Sequence, residues 1–185
     1  EGEYKKNNTY LRIGVRFNYF QKFSKLLIEP RINFRQKLSK NIAVKLEGEF
    51  KNQSTNQIVD FQDDFLGVEN RRWILANEEN IPISTSKQGS FGLEFNKKNF
   101  HTDLTTFYKK VDGITASNQG FYNNFQFTNA TGSYTAKGIE FLANVTAKKY
   151  STWLSYTYSI NDYEFHSFTP KKFPNNADIR HSASL

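Results

Sequence analysis

The residues able to do chemistry are few in this chain and poorly placed for catalysis. His101, His166 and His181 lie far apart and show neither metal-ligand spacing nor an HExxH arrangement. There is no cysteine and no methionine, which removes thiolate ligands, cysteine nucleophiles and a disulfide framework together. No GxxxxGK[ST] run offers a phosphate cradle, and no serine has a plausible histidine and aspartate setting for a triad. Carboxylates gather at Asp63-Asp64, Glu69 and Glu78-Glu79. They are oxygen donors of the kind a hard cation takes, but a solvated acidic loop accounts for them more simply. The expectation is a protein that is not an enzyme and holds neither cofactor nor metal. Binding chemistry is better represented. Arg71-Arg72-Trp73, and Phe121-Tyr122 with Phe125 and Phe127, combine the guanidinium and aromatic groups that dominate recognition surfaces. Arg71, Arg72, Trp73, Phe121, Tyr122 and Phe125 are the candidate ligand-binding residues.

What must position these groups is a set of long alternating segments. From Tyr10, the residues Leu11, Ile13, Val15, Phe17 and Tyr19 share one face, and Arg12, Gly14, Arg16 and Asn18 the other. Ile28, Pro30, Ile32 and Phe34 alternate with Glu29, Arg31, Asn33 and Arg35; Ile42, Val44, Leu46 and Phe50 alternate with Lys45, Glu47 and Glu49. Period-two alternation marks a strand with one apolar and one polar side. Strands are predicted at about 10–20, 26–36, 41–50, 88–96, 100–110, 135–146 and 150–162, with an eighth starting near the end. Strands of about ten residues or more suit a tilted bilayer crossing, whereas soluble strands average nearer five or six. From the third strand on, connections alternate long and short, placing Lys51–Lys87, Val111–Tyr134 and Tyr163–Ala177 at one end of the sheet. The turns at Lys37, Lys97 and Lys148 fall at the other end. This asymmetry is the habit of an outer-membrane barrel.

The polar faces fit the same reading. Arg12, Arg16, Arg31, Arg35, Lys45, Glu47 and Glu49 would form ladders of opposite charge, natural in a wide wet lumen and unfavourable in a dry core. They are the expected lumen-facing residues. A soluble sheet could turn the same residues to bulk water, so a soluble all-β binding module, lipocalin-like or adhesin-like, stands as the alternative. Aromatics form 16% of the chain, enough for interfacial girdles. A mean hydropathy of −0.69 and the lack of any long apolar run argue against a transmembrane helix and leave a barrel open. The net charge of +7 suits an anionic partner such as a phosphorylated leaflet, and much of it sits in the turn doublets Lys97-Lys98, Lys148-Lys149 and Lys171-Lys172. A nucleic-acid-binding barrel would interleave basic and aromatic residues on one polar face; here most aromatics lie on apolar faces or in loops, so no nucleic-acid partner is expected.

With these segments placed, the chain resembles part of the barrel domain of TonB-dependent outer-membrane receptors of the Bacteroidetes type. The likeness rests on Glu29-Pro30-Arg31-Ile32-Asn33-Phe34 followed by Leu38-Ser39-Lys40-Asn41, and on Ile81-Pro82-Ile83-Ser84 leading to Ser90-Phe91-Gly92-Leu93-Glu94-Phe95. It continues through Phe107 to Ile114, Ala136 to Glu140, Trp153 to Ser159 and Pro174 to His181. The resemblance implies that residues 1–185 are a partial barrel domain, an antiparallel up-and-down transmembrane segment of about seven to eight strands. The whole barrel would have roughly 22 strands around a plug. Plug, TonB box and remaining strands are missing from the pattern, and both ends read as cuts. The family would place the chain in the outer membrane of a Gram-negative bacterium as part of an active transporter for a siderophore, vitamin, glycan or peptide. Its partners would be outer-membrane lipid and lipopolysaccharide, its own barrel and plug, TonB through that plug, and a surface lipoprotein in some systems.

Overall fold

The computed structural model describes residues 1–60, 70–77, 79–119, 127–175 and 178–185. The chain is all-β. Its strands are β1 (Gly2–Lys6), β2 (Thr9–Phe20), β3 (Lys25–Lys37), β4 (Ile42–Gln53), β5 (Thr55–Asp60), β6 (Asn70–Leu75), β7 (Ser84–Lys97), β8 (Phe100–Gln119), β9 (Phe127–Thr146), β10 (Ser151–Glu164), β11 (Lys172–Pro174) and β12 (His181–Ser184). One sheet runs β1-β2-β3-β4-β7-β8-β9-β10-β11, antiparallel at every step, and β12 also pairs with β10. Neighbours in sequence are neighbours in space except where the β5–β6 hairpin steps out between β4 and β7. That hairpin returns to the sheet only through a short parallel pairing, Val59 and Asp60 against Ala116 and Ser117 of β8.

The long alternating segments form the strands the sequence predicts, with two corrections. Among the described residues there are twelve strands, not seven or eight, and the sheet they form stays open, with β1 at one edge and β11 and β12 at the other. The extra strands come from stretches read as loops. β8 runs to Gln119 and β9 begins at Phe127, so most of the expected Val111–Tyr134 loop is hairpin. The expected Lys51–Lys87 loop holds β5, β6 and the start of β7. These extensions carry no long alternating apolar stripe, and their Thr, Ser and Asn residues still pair through the backbone. A bulge between Asp112 and Ile114 marks where the predicted part of β8 gives way to its extension, and Gly113 there takes φ +80°, a conformation open to glycine.

The short ends are built from local turn chemistry. Lys98 adopts φ +51° in the two-residue connection between the paired Lys97 and Phe100, the left-handed backbone conformation by which a tight turn matches the right-handed twist of its strands. The Ser39 hydroxyl accepts the amides of Asn41 and Ile42 at 3.3 and 3.1 Å and closes the β3–β4 turn. Pro30 lies within β3 opposite Val15, at the point where the ladder to β4 ends at Arg31, so an incomplete ladder accommodates it. No helix among the described residues is long and apolar enough to cross a membrane, which leaves strand crossings untouched.

Candidate functional site

Register turns the alternation into two continuous surfaces. On one, Leu11, Ile13, Val15, Phe17 and Tyr19 of β2 stand opposite Phe34, Ile32, Pro30, Ile28 and Leu26 of β3. The surface continues through Leu46 opposite Phe91, Val44 opposite Leu93, Leu93 opposite Leu104, Leu104 opposite Phe141 and Phe141 opposite Tyr156. Most large apolar side chains of this belt are exposed, from 38% (Ile32) to 64% (Tyr19), while Leu11, Phe34, Val44 and Phe141 are partly covered. A continuous apolar area across seven strands far exceeds the few hundred Å² that a monomer normally leaves to water.

The belt is not perpendicular to the strands. A line carried straight across the ladders from Ile13 passes Ile32, Gly48, Gly89, Tyr108 and Lys137 to Ile160. On β2–β3 the middle of the apolar run is Val15 opposite Pro30, which lies two residues to the long-loop side of that line. On β9–β10 the middle is Phe141 opposite Tyr156, four residues to the short-turn side. The belt thus shifts by about six residues between β3 and β7, where Leu93 is already four residues to the short-turn side of Gly89, and it keeps that offset through Leu104 and Phe141 to Tyr156. Averaged over the five steps from β2–β3 to β9–β10, at ~3.3 Å per residue and ~4.8 Å between strands, the shift amounts to roughly 40°.

The opposite surface is polar and internally paired. Arg35 donates through Nε and Nη2 to Glu94 Oε2 at 2.9 and 2.5 Å. Lys45 Nζ lies 3.7 Å from Glu94 Oε1 and 2.5 Å from Asp103 Oδ2, whose other oxygen accepts the Thr105 hydroxyl at 2.6 Å. Asn33 donates to Glu47 at 2.8 Å, Lys51 reaches Glu49 at 2.6 Å, and Gln88 also donates to Glu49. Arg16 approaches the buried Glu29 at 3.9 Å, and Glu29 accepts the Asn52 amide at 2.8 Å. Arg12 and Arg31 both hold Glu1, at 2.6 and 3.3 Å. The seven residues expected to face a lumen therefore share this one surface, and each has an opposite charge or an amide as partner. Above them lies a hollow of about 450 Å³ bordered by Arg12, Arg31, Glu47, Glu49, Phe107 and Lys109. Charge-assisted pairs of this kind hold side chains in place while leaving polar atoms facing the hollow.

The candidate recognition residues divide. Arg71, Arg72 and Trp73 lie on β6, opposite Val59, Ile58 and Gln57 of β5. The Trp73 ring is 63% exposed. Phe121, Tyr122 and Phe125 lie outside the described residues, as do Asp63, Asp64, Glu69 and Glu78. Phe127 opens β9 opposite Gln119. His101 bonds through Nδ1 to Asn96 Oδ1 at 2.5 Å on the short-turn side.

One feature escaped the sequence reading. Tyr163, Phe165, Phe168 and Phe173 from the third long connection pack with Ala116, Ala130, Ile114 and Tyr134 of the β8–β9 extension. Phe165 is fully buried and lies nearly parallel to Phe168 and Phe173, with ring centroids 5.0 and 6.1 Å away. Its edge occupies the space over Gly132, where an added Cβ would come within 2.5 Å of Phe165 Cδ1. The available signal was four aromatics within eleven residues beside a glycine in the facing strand; a loop reading gave them nothing to pack on.

Comparison with protein-family models, with curated proteins and with solved structures returns no match.

Proposed function

We propose that this chain is a sector of an outer-membrane β-barrel of the TonB-dependent receptor type. The barrel binds a scarce nutrient at its long-loop end and imports it with energy delivered through TonB. The observation that carries the reading is the exposed apolar belt, which crosses the sheet obliquely, by roughly 40° on average, over strands whose other face is ion-paired. Barrel strands tilt 35–45° from the membrane normal, so a level lipid-facing band must cut the strands obliquely by that amount. A sheet covered by a second protein layer has no reason to keep its apolar residues on such a slope. The open edges support the view that further strands complete the wall, about 22 in the family this chain resembles. The polar face then lines the lumen around the plug, and Trp73 with the neighbouring hairpins offers the ligand surface. Lipid and lipopolysaccharide meet the belt, and a surface lipoprotein would meet the long-loop end.

Depth-resolved tryptophan quenching in the native membrane tests this. Phe141→Trp, made in a Trp73→Phe, Trp153→Phe background of the full-length protein, should be quenched by lipids brominated at mid-chain and spared by aqueous iodide. Trp73 alone should show the reverse. Iodide quenching of both positions would overturn the membrane reading and restore a soluble β module.

A further inference from the structure

Three lysines stand on the apolar face where a soluble protein would have little use for them. Lys87 of β7 lies directly opposite Lys110 of β8. Lys137 of β9 stands opposite Tyr108, two residues along the ladder from the Thr135 that faces Lys110. By strand parity they share a face with Phe91, Leu93, Leu104 and Phe141. Like charges directly opposite one another destabilise a strand pair unless an anion lies between them. Asp112 reaches Lys110 at 3.4 Å, while Asp162, the other nearby carboxylate, pairs with Lys172 at 3.2 Å. Lys87 and Lys137 have no ion pair among the described residues; Lys87 Nζ lies 5.7 Å from the centroid of the Phe50 ring. Among the described residues, then, only Lys110 of the three ammonium groups has a carboxylate partner.

Their height is specific. Lys87 and Lys110 are each six residues from the middle of the belt on their strands, Leu93 and Leu104, toward the long loops. At the ~40° strand tilt of an outer-membrane barrel this places them about 15 Å above the belt centre, just outside half of a ~25 Å lipid-facing band. Lys137 starts about 10 Å up and has a stem long enough to bring its ammonium to the same level. Tyr108 sits among them with its hydroxyl end at the interface, where such rings settle.

We infer that Lys87, Lys110 and Lys137 bind the headgroup phosphate of a lipid in the leaflet on the long-loop side. The acyl chains of that lipid lie down the belt over Phe91, Leu93, Leu104 and Ile139. The unbroken passage from cations to apolar wall points to a lipid and not to free phosphate. This inference rests on the membrane reading above.

The test uses the full-length protein extracted from its membrane into a neutral detergent. Retention of a bis-phosphorylated glycolipid, of the same lipid with its phosphates removed, and of inorganic phosphate is read by native mass spectrometry. Only the phosphorylated lipid should be held. The triple variant Lys87→Gln, Lys110→Gln, Lys137→Gln should hold it about a hundredfold less tightly, and the Lys97→Gln, Lys98→Gln variant, at the opposite end, should match the unaltered protein. Equal retention by the triple variant, or phosphate held as well as lipid, overturns the site. The quenching of Phe141→Trp separates the two ideas. If it persists in the triple variant while retention is unchanged, the lysine site falls and the membrane reading stands; if it was never present, both fall.

Discussion

Arg35 of β3 and Glu94 of β7 meet across the whole width of β4, with Arg35 Nη2 2.5 Å from Glu94 Oε2 and side-chain exposures of 32% and 13%. The pair bridges strands that share no hydrogen bonds with each other. Lys45 from the strand between them joins the same carboxylate at 3.7 Å. Glu94 therefore neutralises two cations, and Asp103 takes up the rest of Lys45. Glu94→Gln should lower unfolding stability by about 1–2 kcal/mol, because two part-exposed cations lose a shared acceptor. Arg35→Gln with Glu94→Gln should lose less than the two single changes together. Urea unfolding from lipid vesicles gives the coupling; an additive double variant would show that the pair contributes nothing.

Charge on the other face has a different consequence. Leu93→Arg or Phe141→Arg places a guanidinium near mid-belt and should cost about 2–4 kcal/mol, read as loss of assembled protein in the membrane fraction. Thr157→Lys, on the polar face opposite Glu140, should assemble normally. Equal behaviour of the two classes would mean that the faces are assigned the wrong way round.

Much of this was legible in the residues, and the reason is physical. Leu11 to Tyr19 and Ile139 to Val145 alternate strictly, so their faces follow from period two alone, and one slipped residue would expose the error at once. What alternation does not encode is distance. Nothing near Arg35 announces Glu94, fifty-nine positions on, because register accumulates through three hairpins. The β5–β6 hairpin and the extensions of β8 and β9 were also hidden. Their polar, unpatterned residues read as loop, although backbone pairing needs no stripe. For Arg71, Arg72 and Trp73 the sequence indicated residue types suited to binding, and the fold puts them on a strand.

The Phe165 cluster should depend on a missing side chain. Gly132→Ala brings a methyl group into the Phe165 ring and the Glu164 carbonyl, overpacking worth about 1–3 kcal/mol. The ring should leave its seat and free the connection from Glu164 to Lys172. Limited proteolysis should then cut within residues 166–171 far faster than in the unaltered protein, while the belt assembles as before. An unchanged cleavage rate would show that the aromatic packing does not hold this connection down.

Trp73 offers a contrasting expectation. Its ring is largely exposed and supports no described packing, so Trp73→Ala should shift stability by no more than about 0.5 kcal/mol. A ligand screen that reads Trp73 emission in a Trp153→Phe background should find a blue shift with the true substrate class and none with others. A large stability loss on removing Trp73 would make it a structural prop instead.

In the proposed membrane setting, the twenty-residue strands β8 and β9 have a mechanical consequence beyond the crossing itself. From the belt centre at Leu104 to Gln119, fifteen residues at a ~40° tilt rise almost 40 Å, so the hairpin stands about 25 Å clear of a ~25 Å band. What projects from the surface is a braced mast, stiffened on one side by β5 and at its foot by the aromatic cluster. A ligand arriving there meets a scaffold already set in shape, so less ordering entropy is lost on capture than with slack loops. The mast also carries the contact point far enough out to meet large cargo before the membrane surface does.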